Sequence, residues 1–286
     1  MTIHTSRQIK DLVRNLAASS GVEAHVLIRR YMMERLLERI SLSPYRDCFI
    51  LKGGMLVSSL VGVEMRSTMD MDTTVKGLSL TAAEMERVLG EILSISLDDG
   101  VSFRIRSVNR IMEEREYAGL RVSLEALLEN AITPLKVDIS TGDAITPREI
   151  VYPYRLMFEN RSISLMAYPL ETVLAEKLET ILTRATLNSR MRDFYDVQVL
   201  WESFSRDIRG ETLQRALRAC AERRASLERL PDAEAILRAV ENSPELQRLW
   251  DEYRRKNRYS EACTWERVMR SLRSLCARAG LPTEAR

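Results

Sequence analysis

The sequence predicts an α/β core of the α+β kind, followed by a helical region that runs to the end of the chain. Three observations predict this. Residues 49–51, 101–106, 119–124 and 135–139 are short apolar or alternating runs that read as strands. Segments with apolar residues at helical spacing precede and separate them. From Tyr168 onward the spacing is helical throughout, broken near Pro231, Pro244 and Asn257.

Taken in order, residues 9–16 and 24–40 form helices interrupted by Ser19-Ser20-Gly21. Phe49-Ile50-Leu51 is a buried strand entering the turn Lys52-Gly53-Gly54, and a short helix from Met55 closes at Gly62. Residues 68–75 read as a strand with a polar face. Thr81 opens a helix, with Glu84 completing a capping-box pattern. Residues 135–139 give the clearest strand, alternating strictly between apolar and charged side chains. Tyr168-Pro169-Leu170 opens a long helix through Arg184, and residues 191–203 form the next. The expected organisation is N-terminal helices over 1–45 packing on the core, a core with a small mixed sheet over 46–167, and a helical domain over 168–286.

Composition narrows the class. With 45% hydrophobic residues in 286, the chain can bury a core, which excludes intrinsic disorder. The formal net charge is +2, and lysine supplies six of the 43 cationic residues, so a lysine beside a motif is informative. Cys48, Cys220, Cys263 and Cys276 make no CxxC pair, which argues against a zinc knuckle or a disulfide framework. The two histidines, His4 and His25, leave little for histidine acid–base chemistry. The opening residues lack a secretory pattern, and no run approaches the roughly 20 apolar residues of a membrane span. A reducing, cytoplasmic setting is expected.

Three features carry chemistry. Gly53 and Gly54 lie between a strand and a helix, where backbone N–H groups can approach a phosphate; the alternative is a simple turn. Asp70 and Asp72 are two apart in an extended stretch, so their carboxylates project together and repel unless a cation lies between them. Magnesium, a hard ion that takes oxygen ligands, suits them. On the strand 135–139, Lys136 and Asp138 share the polar face, and Asp138 is either a third metal ligand or part of a half-exposed strand.

A Gly-Gly turn, then Asp-x-Asp, then a lone Asp on a later strand resembles the DNA polymerase β-type nucleotidyltransferases. More narrowly, the chain resembles the AbiEii family of nucleotidyltransferase toxins from abortive-infection and toxin–antitoxin systems. The stretches that carry the resemblance are LKGGMLVSSL, RSTMDMD from Arg66, LKVDISTGDAITP from Leu135, LETVLAEKLETILTRA from Leu170 and RMRDFYDVQVL from Arg190.

The resemblance implies a polymerase β-like core in which Asp70, Asp72 and Asp138 hold two magnesium ions, with manganese as a substitute. It implies nucleotide binding by Lys52, Gly53, Gly54, Arg66, Thr68 and Lys177, the last from a helical domain that contributes to the active site. Lys177 lies in an apolar stripe, so its ammonium either reaches an anion or snorkels to water. Asp193 and Asp196, in the R-D-x-x-D segment, face one way, and one of them assists the transfer. Where the family often has Thr or Ser after the glycines, this chain has Met55.

The implied reaction moves a nucleoside monophosphate from an NTP to RNA, the tRNA 3′ end above all. It belongs to a toxin used in phage defence and opposed by a separately encoded antitoxin. A basic cluster at Arg254-Arg255-Lys256 with Arg258 suits RNA contact or a solvated helix face. The alternatives are a transferase acting on a small molecule such as an antibiotic, and a module that binds NTP without transfer.

Overall fold

Phe49, Ile50 and Leu51 have no polar face to offer water, and the strand they form, β1 (Phe49–Lys52), is paired along both edges. In the computed structural model, which describes residues 5–112 and 118–283, β1 runs antiparallel to β2 (Met71–Val75). His4 lies outside the described residues. The strands β3 (Val101–Met112), β4 (Ala118–Leu128) and β5 (Ala131–Thr141) form an antiparallel meander, and β5 joins the sheet parallel to β2. On the other side of β1, β6 (Ile150–Arg155) and β7 (Ser162–Ala167) form a hairpin whose β7 lies parallel to β1. Among the described residues one seven-stranded mixed sheet results, in the order β3-β4-β5-β2-β1-β7-β6. It is larger than the small sheet expected, because β3 to β5 extend well beyond their apolar centres and the sequence reading left β6 and β7 unassigned.

The internal contacts divide the chain into two units, Met1–Gly142 with Glu149–Ala167, and Asp143–Arg148 with Tyr168–Arg286. The first holds the sheet and the helices α1 (Ser6–Ser20), α2 (Ala24–Leu42), α3 (Gly53–Val61) and α4 (Ala82–Leu93). Thr5 and Gln8 make a reciprocal capping box on α1. At α4 only half of the expected box is recorded. Thr81 Oγ1 accepts the Glu84 N–H, while the Glu84 carboxylate takes Arg87.

Helix α2 explains much of this unit. It contacts β5 and β7, and residues 30–40 are buried on all sides, charged residues included. Those charges are satisfied by partners from several elements. Arg30 pairs with Glu34 at 3.2 Å and bonds Ser58 of α3. Glu34 also accepts from Tyr154 Oη at 3.2 Å and Met157 N at 2.9 Å. Arg35 meets Glu38 and Glu159, each at 2.9 Å, and Arg161 returns to Glu38. Burial pushes the Glu34 carboxyl up, and Arg30 works against that shift.

The second unit is helical: α5 (Leu170–Arg184), α6 (Met191–Phe204), α7 (Gly210–Arg223), α8 (Ala233–Glu241), α9 (Pro244–Lys256) and α10 (Trp265–Arg278). The break expected near Pro244 falls between α8 and α9, where Ser243 caps the first turn of α9 and proline suits the first helical position. Buried Glu179 on α5 accepts from Thr183, Ser226 and Arg224, each at 2.7 Å. Phe194, Tyr195, Trp250, Tyr253, Tyr259 and Trp265 form a chain of ring contacts between α6, α9 and the start of α10.

A single pair tests the α2 network. Arg39 holds both Asp99 oxygens, at 2.9 and 3.1 Å, and the Val101 carbonyl at 2.6 Å. Arg39 and Asp99 are each 2% exposed. Arg39→Met leaves a buried carboxylate without its cation and should lower stability by about 3–5 kcal/mol in denaturant unfolding, with partial recovery when Asp99→Asn is added. Loss below about 1 kcal/mol would show that the pair is dispensable.

Candidate active site

The strand register places four charged residues in one row. Lys52 of β1 stands opposite Asp72 of β2, Asp72 opposite Asp138 of β5, and Asp138 opposite Arg121 of β4. Directly opposed residues on neighbouring strands share a face, so two carboxylates lie side by side between two cations. One residue along, Met71, Val137 and Val122 form the matching row on the other face, each 0% exposed. The apolar row fixes the register, and the register fixes the charged row.

Each member of the charged row has a traceable environment. Arg121 donates to both Asp138 oxygens, from Nε at 2.8 Å and Nη2 at 2.6 Å. Those bonds, with Asp70 and Asp72 nearby, hold the guanidinium above its ordinary pKa. Burial pushes the Asp72 carboxyl up, Lys52 opposes the shift, and Asp138 and Asp70 add to it. The Gly54 N–H, directed at Asp72 Oδ2 at 3.4 Å, favours the charged form. Asp70 lies immediately before β2, not within the strand as its spacing suggested, and its carbonyl accepts from Thr68 Oγ1 at 3.3 Å.

The glycine turn fits this row closely. Gly53 has φ of 63°, a left-handed conformation that favours glycine, and a Cβ there would sit 2.1 Å from Asp72 Oδ2. A Cβ on Gly54 would meet Thr68 Oγ1 at 2.8 Å and Arg66 Nη2 at 3.2 Å. Helix α3 starts at Gly53, two residues earlier than expected, and its N-cap residue Lys52 makes no side-chain cap. Apart from the Gly54 N–H directed at Asp72, the first turn can therefore present N–H groups to an anion. Arg66 is 1% exposed, bonds the Ser67 carbonyl and lies against Gly54.

In the second unit, Lys177 of α5 reaches two acids of α6. Its Nζ lies 2.9 Å from Asp193 Oδ1 and 2.7 Å from Asp196 Oδ2. The side chains are 13%, 14% and 0% exposed. Lys177 therefore joins two helices through a nearly dry ion-pair triad.

Comparisons with known proteins add the decisive observation. The profile described as nucleotidyl transferase AbiEii toxin, type IV toxin–antitoxin system, matches residues 35–270. The chain belongs to the AbiEii family. It is a nucleotidyltransferase of the toxin class, and such a system implies an antitoxin partner. Two solved structures share the fold. One is a Helicobacter pylori protein provisionally described as a nucleotidyltransferase, with 14% identity, TM-score 0.55, and coverage of 90% of this chain and 96% of that one. The other is JHP933 from Helicobacter pylori, with 15% identity, TM-score 0.54, and coverage of 90% and 93%. No curated protein sequence matches the chain.

For this AbiEii chain, the donor set suits a hard divalent ion, since Asp70, Asp72 and Asp138 offer only carboxylate oxygen. As placed, no three acidic, histidine or cysteine side chains among the described residues gather into a metal cage, and Asp138 is engaged by Arg121. Met55 is 0% exposed, so position 55 serves the core. Sequence reasoning passed over Arg121; its position between buried Leu120 and Val122 was legible, but its alignment with Asp138 required the register.

Two substitutions examine these placements. Gly53→Ala should cost about 1–2 kcal/mol of stability from the left-handed backbone, yet reduce transfer far more, because its Cβ displaces the Asp72 carboxylate. Activity that falls no further than the folded fraction would show that Asp72 tolerates the shift. Lys177→Met should lower the unfolding free energy by about 3–5 kcal/mol, because it strands two carboxylates, with partial recovery on adding Asp196→Asn. A variant melting like the parent would reduce the triad to a surface contact.

Proposed function

We propose that this AbiEii-family transferase is metal-dependent and moves a nucleoside monophosphate from an NTP to RNA, with the tRNA 3′ end as acceptor and growth arrest as the consequence. The observation that carries this reading is the row that sets Asp72 beside Asp138, next to a glycine turn at the start of α3. Asp70, Asp72 and Asp138 would hold magnesium or manganese. When bound, those ions neutralise the polyphosphate and lower the pKa of the acceptor hydroxyl.

The chain's own residues do the rest. Gly53 and Gly54 admit the polyphosphate close to the backbone, with first-turn N–H groups of α3 as donors. Lys52 adds positive charge beside Asp72, and Thr68 and Arg66 keep the turn in shape. The acceptor hydroxyl oxygen attacks the α-phosphorus in line, the bond to the pyrophosphate breaks, and the hydroxyl proton is released. Lys177, Asp193 and Asp196 enter through the family resemblance, with Lys177 as a polyphosphate ligand and one acid assisting transfer. RNA contact is supported by Arg255, Lys256 and Arg258, which are exposed around the end of α9. No helix among the described residues is long and apolar enough to cross a membrane, in keeping with a cytoplasmic site of action.

The test is incubation with magnesium, each labelled NTP in turn, and total RNA or an aminoglycoside. With the label on the α-phosphate, label in the tRNA band supports the reading; label on the small molecule alone, or no transfer and no pyrophosphate released, would overturn it. Asp70→Ala and Asp72→Ala should each lower transfer by about a hundredfold or more with an unchanged fold, since each removes a metal ligand and not core volume. The same changes should relieve growth arrest on induced expression. Full activity in either variant would falsify the ligand assignment.

A further inference from the structure

Asp138 faces two claims on its oxygens. Asp72 stands beside it in register, and a divalent cation shared by the two carboxylates needs at least one Asp138 oxygen. Arg121 already takes both, in the forked geometry that suits a carboxylate. An oxygen serving guanidinium and metal together would hold two cationic centres within a few ångströms of each other, which Coulomb repulsion opposes.

The surroundings show which partner can leave. Arg121 is 42% exposed at its side chain, so it has water to swing into, whereas Asp138 is 23% exposed and anchored on a strand with neighbours on both sides. Asp72 cannot turn away either, since Gly53 packs against it. Among Asp138 and its two neighbours in the row, the movable one is the arginine.

We propose that Arg121 is the built-in counter-cation of this site. It neutralises the carboxylate row in the metal-free protein and gives up Asp138 when a divalent cation binds, so that metal entry is an exchange of one cation for another. The proposal rests on the metal role given above to Asp138. It assigns to Arg121 the setting of divalent affinity, a role distinct from contact with the reacting atoms.

Manganese binding to the full chain without nucleotide, read by calorimetry or by the electron paramagnetic signal of free Mn2+, tests the exchange. Arg121→Gln should bind Mn2+ about tenfold more tightly, the lower end for charge-assisted hydrogen bonds once partial exposure is discounted. Arg121→Lys keeps the charge but loses the fork, so it should also bind more tightly than the parent, though by less. In an Asp138→Asn background, Arg121→Gln should change affinity little, because the exchanged bond is already gone. Without metal, Arg121→Gln should melt lower than the parent, and saturating Mn2+ should close that gap.

Equal or weaker Mn2+ binding in a cooperatively melting Arg121→Gln would overturn the exchange and make Arg121 a support for Asp138. Parent-like affinity in Arg121→Lys beside tight binding in Arg121→Gln would also overturn it, since bulk charge alone would then account for the effect. If the parent and every variant fail to bind Mn2+ at millimolar concentration, the metal reading of Asp138 falls, and the exchange with it.

Discussion

Strand β2 is five residues long and paired on both edges, and much of the first unit follows from what that position does to Asp72. A carboxylate on an interior strand cannot turn out to water as it could at a sheet edge, so neighbouring strands must supply its electrostatic environment. Lys52 answers from β1, while Asp138 adds a second negative charge from β5. The sheet then needs a further cation, and Arg121 supplies it from β4. Even the backbone of α3 conforms: Gly53 is held left-handed where its missing Cβ leaves room for Asp72 Oδ2. One crowded carboxylate thus accounts for the chemistry of four strands and a turn.

That row keeps its geometry only if the sheet keeps its register, and α2 has a part in this. Its ion pairs and hydrogen bonds reach residues 99 and 101 ahead of and within β3, Ser58 in α3, and Tyr154, Glu159 and Arg161 along the β6–β7 hairpin. Buried pairs of this kind add little net stability over an apolar core, because desolvation offsets most of the attraction. They penalise misplacement heavily, since any slip strands a charge. Helix α2 also contacts β5, the strand that carries Asp138 and Val137, so these directional buried pairs help hold that strand in place.

The pattern of residues made the local structure legible. Strict alternation in 135–139 placed Leu135, Val137 and Ile139 inward, and all three are at most 1% exposed. The helices from α5 onward followed from periodicity, and Gly53 and Gly54 fell between strand and helix as their chemistry requires. The pairing between elements stayed hidden. Nothing local to Arg121 marks Asp138 as its partner, because register is a property of two strands and one residue's slip reverses every face. Strand β6 escaped for another reason: Ile150 and Val151 are apolar yet exposed, which blurs its alternation, whereas the alternation Ser162-Ile163-Ser164-Leu165 of β7 was legible and passed over. In α2, charges within an apolar helix gave no hint that they were buried and paired.

Each unit brings acidic side chains to a cation supplied by a separate element, and exposure tells the two arrangements apart. Around Lys177 the three side chains are 14% exposed or less, so displacing the ammonium would leave two carboxylates in nearly dry surroundings. Arg121 is 42% exposed and can be hydrated as it leaves. Pair distances do not separate the cases, since both lie between 2.6 and 2.9 Å. What separates them is the solvation available to the departing cation and to the carboxylate left behind. By that criterion Lys177 stays with its two acids and meets a polyphosphate only from that fixed place, whereas the Arg121 pair is the one built to open.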